Sequence, residues 1–412
     1  TGFMGNYTSE TLSLNSLLSS TIGDELKLAT SGICEVYAIA PEYQVALLSA
    51  GRAADAAYWL DEVTGRWATT TYFRNLPWYI DRYNTQHAPA TRYESLMWKN
   101  MHQPDFYTFL PYIRKKNENF QYDYRDYARY KSLKTSALIN EEVTRLADCF
   151  FEYSTLGKDD APDMLALSYF AGIPPDKAVP DYALELQDTY FRLDKELEKL
   201  LNQIDKKTGL HNTVIFIAST GYFAAKATTF SHVNIPVGEF YPKRSIALLN
   251  MYLMAIYGQG NWVETYFDKQ VFLNRKLIED KQISLEEIQR KAANFLIELS
   301  GIQDVATASD IVHSRTGETF RYARSGYCPG ISGDLLLEIR SGWKIVEEDE
   351  YAKEEYVSKA RVQTPLIIMA PGIPGKTVQQ KIRATQIAPS VCHILRICSP
   401  NAATDDILLE IK

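Results

Sequence analysis

The sequence predicts an α/β fold in which a mostly parallel sheet lies between helices. Two apolar runs and the helix between them carry this prediction. Residues 163–169 are followed by an amphipathic helix over about 183–206 and then by the apolar segment 213–218, which reads as a fully buried strand. A strand, a helix and a second strand form a βαβ unit, which implies a parallel sheet. The apolar stripe of the helix comprises Leu186, Tyr190, Leu193, Leu197, Leu201 and Ile204.

The other apolar segments fit the same fold class. Residues 34–40 and 45–49 read as short buried strands, or as a strand and a turn. Residues 365–370 read as a further buried strand, and a last helix is expected over about 389–397. Strands and helices therefore alternate along the chain, as they do in α/β proteins.

One segment of this single predicted domain, residues 1–412, differs in kind from the rest. Residues 75–135 are rich in aromatic and polar residues and show weak periodicity, which indicates a long insertion above the sheet. Tyrosine and arginine favour protein interfaces, since they supply large rigid area with polar tips. The alternative is that the tyrosines pack the insertion on its own core. The candidate interface residues are Tyr107, Tyr112, Tyr122, Tyr124, Tyr127, Tyr130, Arg114, Arg125 and Arg129.

Charge and composition limit the classes of function. The formal net charge is -7 and the pI is near 5.6, which argues against nucleic acid as a partner. No run of about 18 apolar residues is present, so no transmembrane segment is expected. The five cysteines are an odd and sparse set that forms no disulfide framework. The chain begins at Thr1 without a signal peptide, so we expect a processed or partial product.

Several stretches resemble the phosphate-monoester and phosphate-diester hydrolases of the alkaline phosphatase superfamily. Residues 19–30 resemble their TIGDEL segment, and residues 47–73 resemble a segment that carries an LPAG motif. The resemblance implies a central, mostly parallel sheet sandwiched by helices, with the insertion over the former active site. Further stretches follow in the family's order and extend the resemblance over essentially the whole chain: 156–168, 186–201, 213–221, 364–373 and 385–404.

The resemblance implies an active site in which two zinc ions, bound by carboxylate and imidazole groups, activate a threonine or serine nucleophile. The matched positions of this chain carry other chemistry. The family's aspartate and histidine after the first apolar strand correspond to Ile173 and Lys177. Those of a DHG motif correspond to Ser219 and Thr220, and a further histidine corresponds to Glu354. Both zinc ions are therefore predicted to be lost, and no cofactor is expected.

The positions that bind phosphate in the family are also changed. A lysine and an arginine precede the LPAG motif in the family, whereas Glu42 and Gln44 stand there in this chain. A carboxylate at such a position repels a phosphate dianion. The family's nucleophile and first metal-binding aspartate lie upstream of the matched region. We expect those groups, where they exist, from a preceding segment or from another chain.

The leading hypothesis is a catalytically inactive phosphatase, or pseudophosphatase, that works as a binding or structural component. The resemblance implies an exported bacterial protein, so a periplasmic or cell-envelope assembly and a protein partner are expected. One alternative is a metal-dependent phosphatase or phosphodiesterase whose rearranged site is completed by upstream residues. Another is a ligand-binding module that uses the pocket of the former active site, lined by Glu42, Ile173, Lys177 and Ser219.

Overall fold

The chain forms two compact units. The first comprises residues 1–222 together with 363–412, and the second comprises residues 223–362. A single domain over residues 1–412 stays a prediction. The computed structural model describes residues 3–4, 12–73, 76–107, 119–124, 129–174, 182–219, 238–313, 317, 320, 323–346, 354–357, 364–408 and 411.

The central sheet of the first unit confirms the predicted fold class. In spatial order its strands are β1 (Phe3–Met4), β4 (Trp67–Thr70), β3 (Ala56–Leu60), β2 (Val36–Ala40) and β7 (Met164–Leu167). β2 runs parallel to both of its neighbours, β3 and β7. β4 is antiparallel to β3 and to β1, so β4 is the strand that runs against the others. With the helices around it, this is an α/β fold with a mostly parallel central sheet.

The inner strands of this sheet form the centre of the apolar core. Every residue of β2 and β3 is buried. The ring of Tyr37 in β2 lies 4.8 Å from that of Phe150 in helix α5 (Leu138–Tyr153). Helix α2 (Tyr43–Ala50) packs on both strands. Residues 45–49 therefore lie in a helix, and the prediction of a strand or turn there is wrong. The prediction failed because the periodicity of a short apolar run does not distinguish a buried helix from a strand.

The predicted βαβ unit is present in sequence order but not in strand pairing. Helix α6 (Ala183–Lys207) joins β7 to β8 (Ile215–Ala218). Within the described residues, β8 pairs with β16 (Leu366–Met369) in antiparallel direction and not with β7. The residues of β8 and β16 are half-buried or exposed. Both strands exist as predicted, but the prediction that they are fully buried is wrong.

Helix α6 buries a different side from the one that its apolar stripe predicts. Leu193, Leu197 and Leu201 are half-buried, and Tyr190 is 52% exposed. Glu185 and Asp188, two of its buried polar residues, accept hydrogen bonds from the insertion, which accounts for the burial of that part of the helix. The buried polar residues of the helix are Glu185, Asp188, Thr189 and Glu196.

The predicted insertion, residues 75–135, contains short regular elements. Strands β5 (Met97–Lys99) and β6 (Gln121–Asp123) form an antiparallel pair. Two helices flank this pair in the sequence: α3 (Trp78–Gln86) and α4 (Arg129–Lys134). The ring of Trp98 lies 5.1 Å from Phe120 and 5.6 Å from Tyr122, so the β5–β6 pair has an aromatic side of its own.

One buried carboxylate fastens the insertion to α6. Asp188 is fully buried and accepts hydrogen bonds from Trp98 Nε1 at 2.7 Å and from the hydroxyl of Tyr107 at 2.7 Å. The backbone amide of Met101 donates to it at 2.6 Å, and Nε of Arg192 donates at 2.8 Å. Four donors satisfy this carboxylate, which compensates for the cost of burying its charge.

The second unit is built on an antiparallel sheet with the strand order β10 (Val263–Phe267), β11 (Gln270–Leu273), β13 (Leu335–Ile339) and β12 (Ile302–Thr307). Helix α7 (Pro242–Tyr257) packs on β10, and α9 (Leu285–Leu296) packs on β12. A smaller sheet contains β9 (Glu239–Phe240), β14 (Lys344–Val346) and β15 (Glu354–Tyr356). The remaining helices of the chain are α1 (Ile22–Ala29), α8 (Arg275–Asp280), α10 (Ala308–Val312), α11 (Ala323–Gly326) and α12 (Ile387–Leu395).

We expect Asp188→Ala to lower the free energy of unfolding by about 3–5 kcal/mol, because the change leaves the Arg192 guanidinium and three other donors without their shared acceptor. Urea denaturation followed by tryptophan fluorescence measures this loss. Asp194→Ala, on the exposed side of the same helix, is the matched control. Equal stability of the two variants would show that the carboxylate does not hold the insertion in place.

Candidate functional site

Three of the predicted site positions follow strands of the first unit. Glu42 lies just after β2, Ile173 lies beyond the end of β7, and Ser219 directly follows β8. Ligands of α/β sheets bind outside the carboxyl ends of the parallel strands, and this rule applies to Glu42 after β2 and to Ile173 after β7. It does not apply to Ser219, because β8 pairs in antiparallel direction with β16. The chemistry of each side chain and its contacts decide what these positions can do.

Glu42 faces a cation from the insertion. Its Oε2 lies 3.3 Å from Nζ of Lys134, a residue of α4 whose side chain is 5% exposed. Oε2 of Glu62 lies 3.8 Å from the same ammonium group. Two carboxylates thus share one ammonium ion and leave a formal negative charge. This charge disfavours a phosphate dianion at the position where the resemblance expects a phosphate-binding cation.

Gln44 adds no charge to this region. It lies in the first turn of α2 and is exposed. Its Nε2 donates a hydrogen bond to the hydroxyl of Tyr43 at 3.2 Å. A neutral amide cannot replace the charge-assisted, bidentate hold of an arginine on a phosphate group.

Ile173 belongs to the apolar core of the first unit and is 8% exposed. Its side chain is hydrocarbon and has no lone pair to offer a metal ion. Lys177, the second position of this predicted pair, lies outside the described residues.

Tyr169 is a residue that the sequence reasoning missed. It lies two positions after the end of β7 and four positions before Ile173, the position matched to the family's aspartate. The end of the strand was the signal that could have pointed to it. Its hydroxyl shares a hydrogen bond with Oγ1 of Thr144 at 3.2 Å, and burial raises the pKa of Tyr169 to about 12. The phenol is therefore neutral near pH 7.

The remaining predicted metal positions are Ser219, Thr220 and Glu354. Ser219 is an exposed hydroxyl residue, and Thr220 lies outside the described residues. Glu354 belongs to the second unit, where it lies in β15 and pairs with Val346 of β14. Its assignment to a metal position stays a prediction.

The available donors do not fit the two zinc ions that the resemblance implies. Zinc needs thiolate, imidazole or carboxylate ligands, and a catalytic zinc ion keeps one coordination position open. At the matched positions that are described in the first unit, the chain offers a hydrocarbon, a hydroxyl group and an amide, along with a carboxylate paired with Lys134. Within the described ranges, no group of three or more histidine, cysteine, aspartate or glutamate side chains is placed to hold a metal ion.

The tyrosines of the insertion pack inward where they are described. The hydroxyl of Tyr107 donates to Asp188, and that of Tyr122 donates to Oε1 of Glu185 at 2.7 Å. Tyr124 and Tyr130 are buried as well. These contacts favour the interpretation that the tyrosines form the core of the insertion, and an interface there stays a prediction.

Of the other predicted interface residues, Arg129 lies within the described part of the chain. The guanidinium of Arg129 lies over the ring of Tyr130, 5.4 Å from its centroid. Four further candidates lie outside the described residues: Tyr112, Tyr127, Arg114 and Arg125.

A cavity of about 340 Å³ lies in the first unit between α3 and α5, away from the predicted site positions. The cavity is lined by Tyr79, Arg82, Tyr83, His87, Arg92, Arg145, Asp148, Cys149, Glu152 and Tyr153. Two of these residues bond to the buried Glu142, which accepts hydrogen bonds from Tyr83 at 3.1 Å and from Arg145 at 3.5 Å. Burial and the neighbouring Arg145 lower the pKa of Arg92, which also pairs with Glu142. The positions matched to the family's site are not among the lining residues.

In the described part of the chain, no helix is both long enough and apolar enough to cross a bilayer.

Three curated relatives match nearly the whole chain. Alkaline phosphatase PafA of Elizabethkingia meningoseptica is 25% identical over 410 residues, which cover 96% of this chain and 74% of that protein. Alkaline phosphatase PhoV of Synechococcus elongatus is 25% identical over 417 residues, which cover 97% of this chain and 74% of that protein. A calcium-transporting ATPase of Myroides odoratus is 27% identical over 403 residues, with 93% and 73% covered.

A solved structure supports the fold, and a family model supports the family. The crystal structure of wild-type alkaline phosphatase PafA superimposes with a TM-score of 0.84 at 23% identity, over 99% of this chain and 81% of that chain. This likeness confirms the fold alone. The family of type I phosphodiesterases and nucleotide pyrophosphatases matches residues 24–363. The chain therefore belongs to this family, within the alkaline phosphatase superfamily.

Proposed function

We propose that this chain is a pseudophosphatase, a member of its family that has lost phosphate-ester hydrolysis and acts as a binding or structural component. The observation that carries the proposal is the burial of Ile173 in the apolar core. A metal ligand must turn a lone pair toward the ion, and a hydrocarbon side chain packed among other hydrocarbon groups cannot do so.

The charges at the former phosphate-binding positions support the same proposal. Glu42 and Glu62 surround the ammonium group of Lys134, so the local charge is negative where a phosphoryl group would need cations. Lys134 is already engaged by these carboxylates, and its side chain is buried. Freeing this lysine for phosphate would leave two carboxylates without their cation.

The place of action is part of the proposal. We place the protein in the bacterial periplasm or cell envelope, in an assembly with a protein partner, because the family resemblance implies an exported protein. The insertion, residues 75–135, is the candidate for the partner-binding surface. Nucleic acid is not an expected partner, since the formal net charge is -7.

A second candidate function is a metal-dependent phosphatase or phosphodiesterase. Two relatives named alkaline phosphatases match nearly the whole chain, and this favours hydrolysis as the ancestral activity. The chain spans about three quarters of the length of those relatives, so a rearranged site would draw its nucleophile and ligands from polypeptide outside the matched part. Metal content and hydrolysis separate the two candidates.

We expect the purified protein to retain fewer than about one zinc ion per ten chains after dialysis against trace zinc, because zinc needs three or four N, O or S ligands. Elemental analysis by mass spectrometry measures the ratio. An active alkaline phosphatase of the same family, dialysed in parallel, controls for loss of metal during handling. A ratio near two would mean that a complete site exists and that the matched positions were assigned wrongly.

We expect no zinc-dependent hydrolysis of p-nitrophenyl phosphate or bis-p-nitrophenyl phosphate above the rate of buffer with zinc, because the described positions offer no metal ligand and no phosphate-binding cation. Release of p-nitrophenol measures the rate. Ser219→Ala is the matched variant, since Ser219 is the hydroxyl residue that directly follows β8. Hydrolysis that copurifies with the protein and disappears in this variant would sink the proposal.

A further inference from the structure

The cavity between α3 and α5 has the size and the charge balance of a small-molecule site. Its volume of about 340 Å³ lies at the lower end of the range of ligand pockets. Three arginines and two acidic residues line it, and the buried carboxylate of Glu142 bonds to two of the arginines. Apart from His87, the formal charges around the cavity therefore cancel. A phosphate dianion would disturb this balance, whereas a zwitterion preserves it.

One guanidinium group of the cavity is held more loosely than its neighbour. Arg92 pairs closely with Glu142, and its Nε donates to the carbonyl of His87 at 3.2 Å. Arg145 lies 3.5 Å from Glu142 and 3.6 Å from Glu141, and its side chain is 47% exposed. Ion pairs of this length in a partly solvated place are weak. Arg145 is therefore the cation that can bind the carboxylate of a ligand without losing a strong contact.

The carboxylate of Asp148 lies one turn further along α5 and lacks a donor. Its Oδ1 is buried and accepts no hydrogen bond from the described residues. A helical side chain leans toward the N-terminus of its helix, and the guanidinium of Arg145 accordingly lies beside Glu141 and Glu142. An unsatisfied buried acceptor costs free energy, so the position of Asp148 favours a ligand that donates a hydrogen bond.

The charges around Asp148 favour a cationic donor over a neutral one. Burial raises the pKa of Asp148, and the negative charges of Glu196 and Glu152 raise it further. The ammonium group of Lys199 opposes this effect, but it already pairs with Glu196 at 2.5 Å. An ammonium group on a ligand would donate to Asp148 and also offset the neighbouring negative charges.

Aromatic side chains form one wall of the cavity. The rings of Tyr79 and Tyr153 are stacked, with their centroids 6.1 Å apart and an angle of 25° between their planes. The ring of Trp78 meets that of Tyr153 edge-on at 5.1 Å, and Trp78 is 60% exposed. Aromatic rings pack favourably on one another in offset or edge-to-face arrangements, so this wall favours a ligand with an aromatic body.

We propose that the cavity between α3 and α5 binds an α-amino acid with an aromatic side chain. The carboxylate of the ligand pairs with Arg145, its ammonium group donates to Asp148, and its ring packs on Tyr79 and Tyr153. Arg145 and Asp148 are three positions apart in α5 and are therefore neighbours on one side of the helix, which suits two charged groups carried by one carbon atom. The proposal goes beyond the loss of hydrolysis and does not rest on it.

Isothermal titration calorimetry of the purified protein with L-phenylalanine and L-tryptophan tests the proposal. We expect both to bind with a Kd of about 1 mM or below. Three analogues of L-phenylalanine each lack one recognised group: 3-phenylpropionate the ammonium, 2-phenylethylamine the carboxylate and L-alanine the ring. Each is expected to bind at least about tenfold more weakly, because one charged or aromatic contact is lost.

The titrations can also overturn the proposal. Absence of binding by both aromatic amino acids at about 10 mM would do so. An affinity of any one analogue equal to that of L-phenylalanine would also contradict it, because the missing group would then not be recognised. These outcomes do not depend on zinc or on hydrolysis, so the proposed function keeps its own tests.

Two variants assign the charged groups. Asp148→Asn is expected to weaken the binding of L-phenylalanine by at least about tenfold and to leave that of 3-phenylpropionate unchanged. Arg145→Gln is expected to weaken both of these ligands and to leave the binding of 2-phenylethylamine unchanged. Asp194→Asn, on the exposed side of α6, is the matched control and should change none of them.

Thermal unfolding shows whether each variant is folded. Equal loss of every ligand in a folded Asp148 or Arg145 variant, or no change in either, contradicts the proposal. Where one variant does not fold, the other variant and the analogue series decide.

Discussion

The buried carboxylate of Asp188 is the interaction on which the arrangement of the first unit depends most. It gathers donors from β5 and the turn after it, from Tyr107 and from its own helix. Arg192 continues the network, because its guanidinium also donates to the carbonyl of Lys99 and to Glu141 of α5. The insertion also contributes Ile80, Trp98 and Leu133 to the apolar core of the first unit. The polar contacts add directional links between the insertion and two helices. Such a network is strong only when each buried member is satisfied, which ties these elements to one another.

This network also explains where sequence reasoning about α6 was limited. The 3.6-residue spacing of leucines identified the helix and nearly its bounds, since amphipathic periodicity is a strong signal over 25 residues. This spacing did not reveal that the side chains of Asp188 and Glu196 would be buried. Carboxylates are rarely buried without partners. Apart from Arg192 in the same helix, the partners of Asp188 lie about 80 to 90 positions away in the sequence. Pairings over such distances are not encoded in local periodicity.

The same limit applies to the candidate site. The order of the apolar strands and the family motifs was enough to predict the fold class. The assignment of Ile173 and Ser219 to metal positions stays a prediction. Lys134 escaped notice, because its contact with Glu42 joins residues 92 positions apart. Residues 45–49 were misassigned for a different reason, which does not involve distant partners. Their short apolar run suits a buried helix as well as a strand.

The packing of Ile173 in the core has a consequence for the history of this protein. A carboxylate at that position would be enclosed by hydrocarbon groups, and burial of an unpaired polar group costs about 1–3 kcal/mol, and more when the group is charged. A mutation that placed a metal ligand there would therefore reduce stability before a second ligand could make a metal ion bind. Natural selection acts on each step, and most proteins tolerate only a few such losses. The apolar core at this position thus resists the gain of a metal ligand by single mutations.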